Sequence, residues 1–124
     1  MIVKRNPKVV ARRIQAGIPA RLRGMLWRLI AHAQDPELEM VYAELLKRES
    51  QHEKVIRLDL PRPFPHNDYF REKDGPGQMA LFNVVRAYSL FDTEVGYCQG
   101  IPFIVGPLLL HVSLHSEGCR PQPC

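Results

Sequence analysis

Asp35-Pro36-Glu37-Leu38-Glu39-Met40-Val41-Tyr42-Ala43-Glu44-Leu45-Leu46 decides the fold class. The Asp-Pro pair is a helix start: the carboxylate accepts from the first orphan amides, and proline at the first helical position has no amide to leave unpaired. Behind it Leu38, Val41, Tyr42, Leu45 and Leu46 recur at i, i+3, i+4, i+7 and i+8 and line one helix face. The same punctuation continues on both sides. Asn6-Pro7 opens a helix to about Ala16, which Gly17 and Pro19 close, and a second runs from about Ala20 to Ala33 with Leu22, Leu26, Leu29 and Ile30 on one face. Ser50-Gln51-His52-Glu53 has the spacing of a capping box for a short helix ending near Leu60. A long helix follows over about Gln78 to Phe91, with Leu81, Val84, Val85 and Tyr88 facing inward. A last apolar helix starts near Gln99 and covers Pro102 to Leu114. No window alternates as a strand does. The pattern predicts an all-α fold, an irregular bundle of about six helices.

Between these helices the chain is stiff or turned. In Leu60-Pro61-Arg62-Pro63-Phe64-Pro65 each proline biases the residue before it towards extended geometry, so Leu60, Arg62 and Phe64 are all restricted. Asp74-Gly75-Pro76-Gly77 reads as a turn. Residues 1–7 form an N-terminal arm, 8–114 the helical domain, and 115–124 a tail without periodicity that is expected to be disordered.

Composition narrows the function classes. The 124 residues are 45% hydrophobic with a net charge of +4, which suits one globular domain. Lys4, Arg5, Lys8, Arg12, Arg13, Arg21, Arg23 and Arg28 all precede the first acid, Asp35. Such a block suits nucleic acid, anionic lipid or an acidic protein, or is simply the solvated face of two helices. Cys98, Cys119 and Cys124 show no metal-ligand spacing, and an odd count without a secretory leader points to reduced thiols in the cytoplasm. The apolar run Ile101–Leu114 is broken by two prolines and is too short to span a bilayer.

No self-contained active site emerges. There is no phosphate-cradling loop and no nucleophile elbow, and His32, His52, His66, His111 and His115 are scattered. Two residues stand out. Arg62 lies between prolines in a stiff segment, and Gln99 lies between Cys98 and Gly100 where a loop meets an apolar helix. A rigidly presented arginine and a loop-end glutamine are the groups that assist a partner's phosphoryl transfer, one against developing charge and one on the attacking water. Their plainer roles are a surface pair of Arg62 with Asp59 and a helix cap by Gln99.

Gly17-Ile18-Pro19, Leu22-Arg23-Gly24 and Trp27 resemble the opening G-I-P-x-x-L-R-G-x-x-W of TBC-domain Rab GTPase-activating proteins. Ile56, Asp59 and Arg62, followed by Phe64-Pro65 and Tyr69-Phe70, resemble that family's arginine motif. Gly77-Gln78 with Leu81, Ala87-Tyr88-Ser89 and Glu94-Val95-Gly96-Tyr97-Cys98-Gln99-Gly100 resemble its glutamine motif. The resemblance covers about residues 8 to 111. It implies that 8–114 is the N-terminal part of a Rab-GAP domain and that the chain serves vesicle trafficking. It further implies that Arg62 is an arginine finger inserted in trans and Gln99 a glutamine finger that places water. Tyr97 would shape the loop of Gln99, and Asp59 would orient Arg62 or stabilise the helix end. Trp27, Leu22 and Gly24 read as packing residues, and Gln78 as a cap.

The implied partner is a Rab-type small GTPase in its GTP-bound state. GTP and Mg²⁺ would belong to that partner, so the chain itself takes no cofactor, no metal and no nucleic acid. Location would be cytoplasmic, at endomembranes through the GTPase. The chain departs from the family at Pro61 and Pro63, which flank the arginine where small, polar or Thr residues are usual, and at His66-Asn67. The resemblance also fades after His111, before a non-homologous tail, while the family domain continues with further helices. The last helix is therefore expected to lack packing partners and the activity of this chain alone to be impaired. The alternative is a non-catalytic fragment that binds a GTPase or another protein. A basic nucleic-acid binder is disfavoured because aromatics are not interleaved with the basic block.

Overall fold

The computed structural model describes residues 6–112, and within them every regular element is helical. Six helices follow in order: α1 Pro7–Gln15, α2 Ala20–Ile30, α3 Pro36–Leu45, α4 Glu53–Asp59, α5 Pro76–Phe91 and α6 Ile101–Val112. The tail 115–124, most of the arm 1–7 and the expected helix end at Leu114 lie outside the described residues.

Local chemistry accounts for most boundaries. Asp35 caps α3, its Oδ1 accepting from the amides of Glu37 at 2.9 Å and Leu38 at 3.4 Å. The capping box before α4 is half formed. Glu53 Oε1 accepts from the Ser50 amide at 3.4 Å, while Ser50 Oγ takes the amide of His52 instead of Glu53. α2 stops three residues earlier than its apolar pattern suggests, because His32 turns into the left-handed region at φ 49°. α5 starts earlier than expected: Gly75-Pro76 is a turn and also a helix start, with Pro76 at the first position.

α5 is the central element and packs on α3, α4 and α6, while α2 packs on α6. Its positions Leu81, Phe82 and Val85 join Ile56, Leu60 and Phe70 in the core, with Phe64, Tyr97, Ile101, Val105, Leu109 and Leu110 packed against them. Of the inward positions read from the pattern, Leu81 and Val85 are buried, but Tyr88 is exposed and Val84 only half-buried. Val84 and Tyr88 belong to a second apolar face. With Ala87 and Phe91 they meet Leu38, Val41, Tyr42 and Leu45 of α3 across a groove of about 200 Å³. Trp27 packs edge-on against His111 of α6 at 4.9 Å, and Gly24 is the buried residue of α2, but Leu22, read with them as a packing residue, stands 43% exposed because no described element covers its side of α2.

Leu60 corrects the expectation of extended geometry before proline. It remains helical at φ −54° and ψ −38°, because its amide bonds Ile56 O at 3.0 Å and its side chain is buried in the core. Core burial and one hydrogen bond outweigh the pre-proline bias.

Arg86 ties α5 to the first residue of α4 and to the segment before it. Its Nη1 reaches Glu53 Oε1 at 3.2 Å, Nη2 donates to Leu46 O at 2.9 Å, and the guanidinium lies 5.3 Å from the Phe82 ring. Arg86→Ala strands a half-buried carboxylate and a carbonyl, so a urea melt should show a loss of about 2 kcal/mol. A melt identical to wild type would mean that these bonds do not order the α3–α4 connection.

Candidate functional site

Asp59 is the last residue of α4, and Gln99 lies two residues before α6. Because both helices pack on α5, the loops that follow one and precede the other come together. They form a shallow cleft lined by Asp59, Arg62, Pro63, Tyr97, Gln99, Gly100, Pro102 and Phe103. The residues singled out from the sequence, Arg62 and Gln99, and those implied as their supports, Asp59 and Tyr97, thus share one site.

The arginine loop is anchored on both sides of Arg62. Its backbone amide donates to Asp59 O at 3.1 Å, closing a turn directly after α4. Beyond Pro63, the Phe64 ring packs at a tilt against Phe70 at 5.0 Å and Phe103 at 6.0 Å. A Cβ at Gly106 would overlap the Phe64 ring, so glycine lets that ring lie directly against α6. The Arg62 side chain itself is 65% exposed. The prolines therefore sit in a loop fixed by its neighbours while the guanidinium is left in solvent.

The glutamine loop is built on Asp92. Its Oδ1 accepts from the Val95 amide at 3.1 Å, its Oδ2 from the Tyr88 hydroxyl at 3.1 Å, and its carbonyl from the Gly96 amide at 2.7 Å. Gly96 then turns at φ +59°, and a Cβ there would meet His52 Nε2 at 2.7 Å. Glycine takes this backbone at no steric cost and leaves the His52 ring in place. After this turn Tyr97 faces the core, while Cys98 and Gln99 are exposed. The Gln99 amide makes no hydrogen bond among the described residues, so the helix-cap role has no bond to support it.

The two loops meet at Asp59. The Tyr97 hydroxyl donates to Asp59 Oδ2 at 2.7 Å, and Asp59 Oδ1 faces Arg62 Nη1 at 3.6 Å. The first is a short hydrogen bond; the second is a loose ion pair of the kind that contributes about 0–1 kcal/mol at a surface. The plain pairing of Arg62 with Asp59 is present and leaves the guanidinium free to swing out. Burial, then the hydrogen bond and charge of Asp59, push the Tyr97 hydroxyl above its usual range. It stays a neutral donor, and Asp59 stays fixed between the loops.

This bond carries a pH prediction. A tyrosine titrating higher in the folded than in the unfolded state contributes stability that is complete below about pH 10 and is lost as pH rises beyond it. Tyr97→Phe should reduce the loss of stability measured by urea melts above about pH 10. An unchanged alkaline limb would mean that the bond is not maintained in solution.

The other sequence-derived candidate, Gln78, is buried and braces a loop. It donates to Phe70 O at 2.9 Å and accepts from the Asp74 amide at 3.3 Å, so it ties residues 70–74 to α5 where Gly75 holds the cap position. Asp92 as the loop anchor, His52 against Gly96 and the contact of Phe64 with Gly106 are roles that the structure adds. The Asp92 turn had a local signal, an aspartate three residues before the amide it accepts. The Phe64–Gly106 contact is long-range and had none.

The sequence model of the Rab-GTPase-TBC domain matches residues 20–118. The Ecotropic viral integration site 5 ortholog of Drosophila melanogaster is 49% identical over 110 residues, covering 89% of this chain and 14% of that protein. The human Ecotropic viral integration site 5 protein homolog is 46% identical over 116 residues, covering 94% of this chain and 14% of its own length. The Rab GTPase-activating protein eat-17 of Caenorhabditis elegans is 43% identical over 111 residues, covering 89% and 12%. The chain thus spans a small part of the curated relatives it matches.

Proposed function

The chain belongs to the Rab-GTPase-TBC domain family, and from that premise we propose that it accelerates GTP hydrolysis by a Rab-type small GTPase. One observation carries the reading. An exposed arginine and an exposed glutamine, from loops far apart in sequence, line the same cleft. Hydrolysis of GTP builds negative charge on the transferred phosphoryl group and needs an aligned water. In this reading the Arg62 guanidinium leaves its loose pair with Asp59 and meets that charge. The Gln99 amide orients the water through its carbonyl oxygen and stabilises the phosphoryl oxygens through its NH₂ group. Tyr97 and Asp59 position both loops and make no contact with the reacting atoms.

The nucleotide and Mg²⁺ come with the GTP-bound partner, and the chain supplies no cofactor. It works in the cytoplasm at whichever endomembrane carries that GTPase. Phe103, which lines the cleft, and Ile104 and Leu108 further along α6 are exposed. Uncovered apolar surface so close to Gln99 supports a rate for this chain alone that is below that of a fully covered site. The test is single-turnover phosphate release from a panel of GTP-loaded Rab proteins with and without the chain. Acceleration with at least one of them is expected. Binding to a GTP-loaded Rab with no acceleration would replace this reading with that of a non-catalytic binding fragment.

A further inference from the structure

α1 and α2 take no part in the cleft, yet they hold the strongest unspent charge of the molecule. Lys8, Arg12 and Arg13 lie on α1, and Arg21 and Arg28 on α2. No acid occurs between residues 6 and 34, and among the described residues none of these five cations has an ion-pair partner. α1 buries no residue at all. On α2, Leu22, Met25 and Leu29 stand 43%, 44% and 47% exposed at i, i+3 and i+7, which places them in one stripe. Arg21 and Arg28, also seven apart, border that stripe.

We propose that the apolar stripe of α2 with its bordering arginines, aided by the cations of α1 just before it in the chain, docks directly on an anionic phospholipid surface. An apolar stripe edged by long cationic side chains is the composition that lies in a membrane interface. The apolar groups enter the boundary between headgroups and acyl chains, and the arginine stems run up to the phosphates. A segment of 29 residues, 6–34, with cations and no carboxylate of its own matches a surface whose negative charge is spread out and demands no register. An acidic protein would also meet these cations, but a protein interface gains from charges of both signs paired in register, and residues 6–34 offer only one sign. Nucleic acid would use the cations but gains nothing from Leu22, Met25 and Leu29, which supply no stacking platform. The proposal does not depend on the catalytic reading, because it concerns a different face and is measured without GTP turnover.

The test is co-sedimentation of the 124-residue chain with phosphatidylcholine vesicles, with or without about 30% phosphatidylserine. Partition onto the anionic vesicles should exceed that onto neutral ones by at least about tenfold and fall as salt is raised. Each basic residue near such a surface contributes about fivefold, so R12E/R21E/R28E should lower partition by at least about tenfold with circular dichroism unchanged. K8E/R12E, confined to a helix that buries nothing, should lower it several-fold and guards against a misfolded triple variant. Equal partition onto neutral vesicles would overturn the proposal, as would full binding by both charge-reversed variants. Retention on an immobilised acidic polypeptide without vesicle binding would overturn it in favour of an acidic protein partner.

Discussion

Arg62→Ala is expected to lower stimulated GTP hydrolysis by at least about tenfold, towards the 10³ or more that an arginine finger contributes when fully engaged. The melting temperature should stay within a few degrees of wild type. The two effects separate because of where Arg62 sits. Its guanidinium is 65% exposed and meets Asp59 at 3.6 Å, beyond hydrogen-bond distance. Such a pair contributes about 0–1 kcal/mol to folding, whereas a tenfold rate loss already corresponds to about 1.4 kcal/mol of barrier. Gln99→Ala should behave in the same way, since its side chain is exposed and hydrogen-bonds no described residue. Single-turnover hydrolysis and a thermal melt on each variant check the pair of expectations. Activity retained in both would remove the dual-finger mechanism. Lost activity with a collapsed melt would mean that Arg62 acts through the fold.

Gly77→Ala is expected to have the opposite signature, a loss of folding that takes activity with it. Gly77 lies in the first turn of α5, where a Cβ would overlap the Tyr69 carbonyl oxygen and come within 2.7 Å of its carbon. The obstacle is backbone, so no side-chain rotation relieves it. Either α5 retreats from residues 69–70 or that loop moves. Both movements break the Gln78 brace to Phe70 O and disturb Phe70 in the core. Overpacking that forces backbone shifts costs about 1–3 kcal/mol, and the lost brace and core contacts add to it, so a total above about 3 kcal/mol is expected. For a domain of this size that corresponds to a melting point lowered by more than about 10 °C. A cooperative melt within a few degrees of wild type would show that the loop 69–75 yields more easily than its burial suggests.

How much of this was legible in the sequence differs by element. The Asp35-Pro36 start, the core positions Leu81 and Val85 and the end of α4 at the proline segment came from capping chemistry, helical period and the missing proline amide. These signals are local, and the structure repeats them. The fate of Val84 and Tyr88 was not legible. α5 has two apolar faces, and periodicity does not say which one meets the core and which lines a groove. Leu60 shows the same limit, because burial overrides a local proline rule only once the core is known. At the site, the stiff segment around Arg62 and the loop end at Gln99 drew attention as residues. Their shared cleft and the Tyr97–Asp59 bond are tertiary facts. Nothing in the spacing of two loops says that one carboxylate will join them.

The central claim is that Arg62 and Gln99 act together on the phosphoryl group of a GTPase partner, and transition-state mimicry tests it most directly. GDP with aluminium fluoride in a Rab site imitates the phosphoryl group in flight, which is the species both fingers are proposed to meet. Binding of the chain to GDP-loaded Rab should be measured with and without aluminium fluoride, for wild type and for R62A/Q99A. The expected result is tight binding by wild type only when the fluoride is present, and loss of that increment in the double variant. Binding that ignores the fluoride, or an increment that survives in R62A/Q99A, would contradict the account.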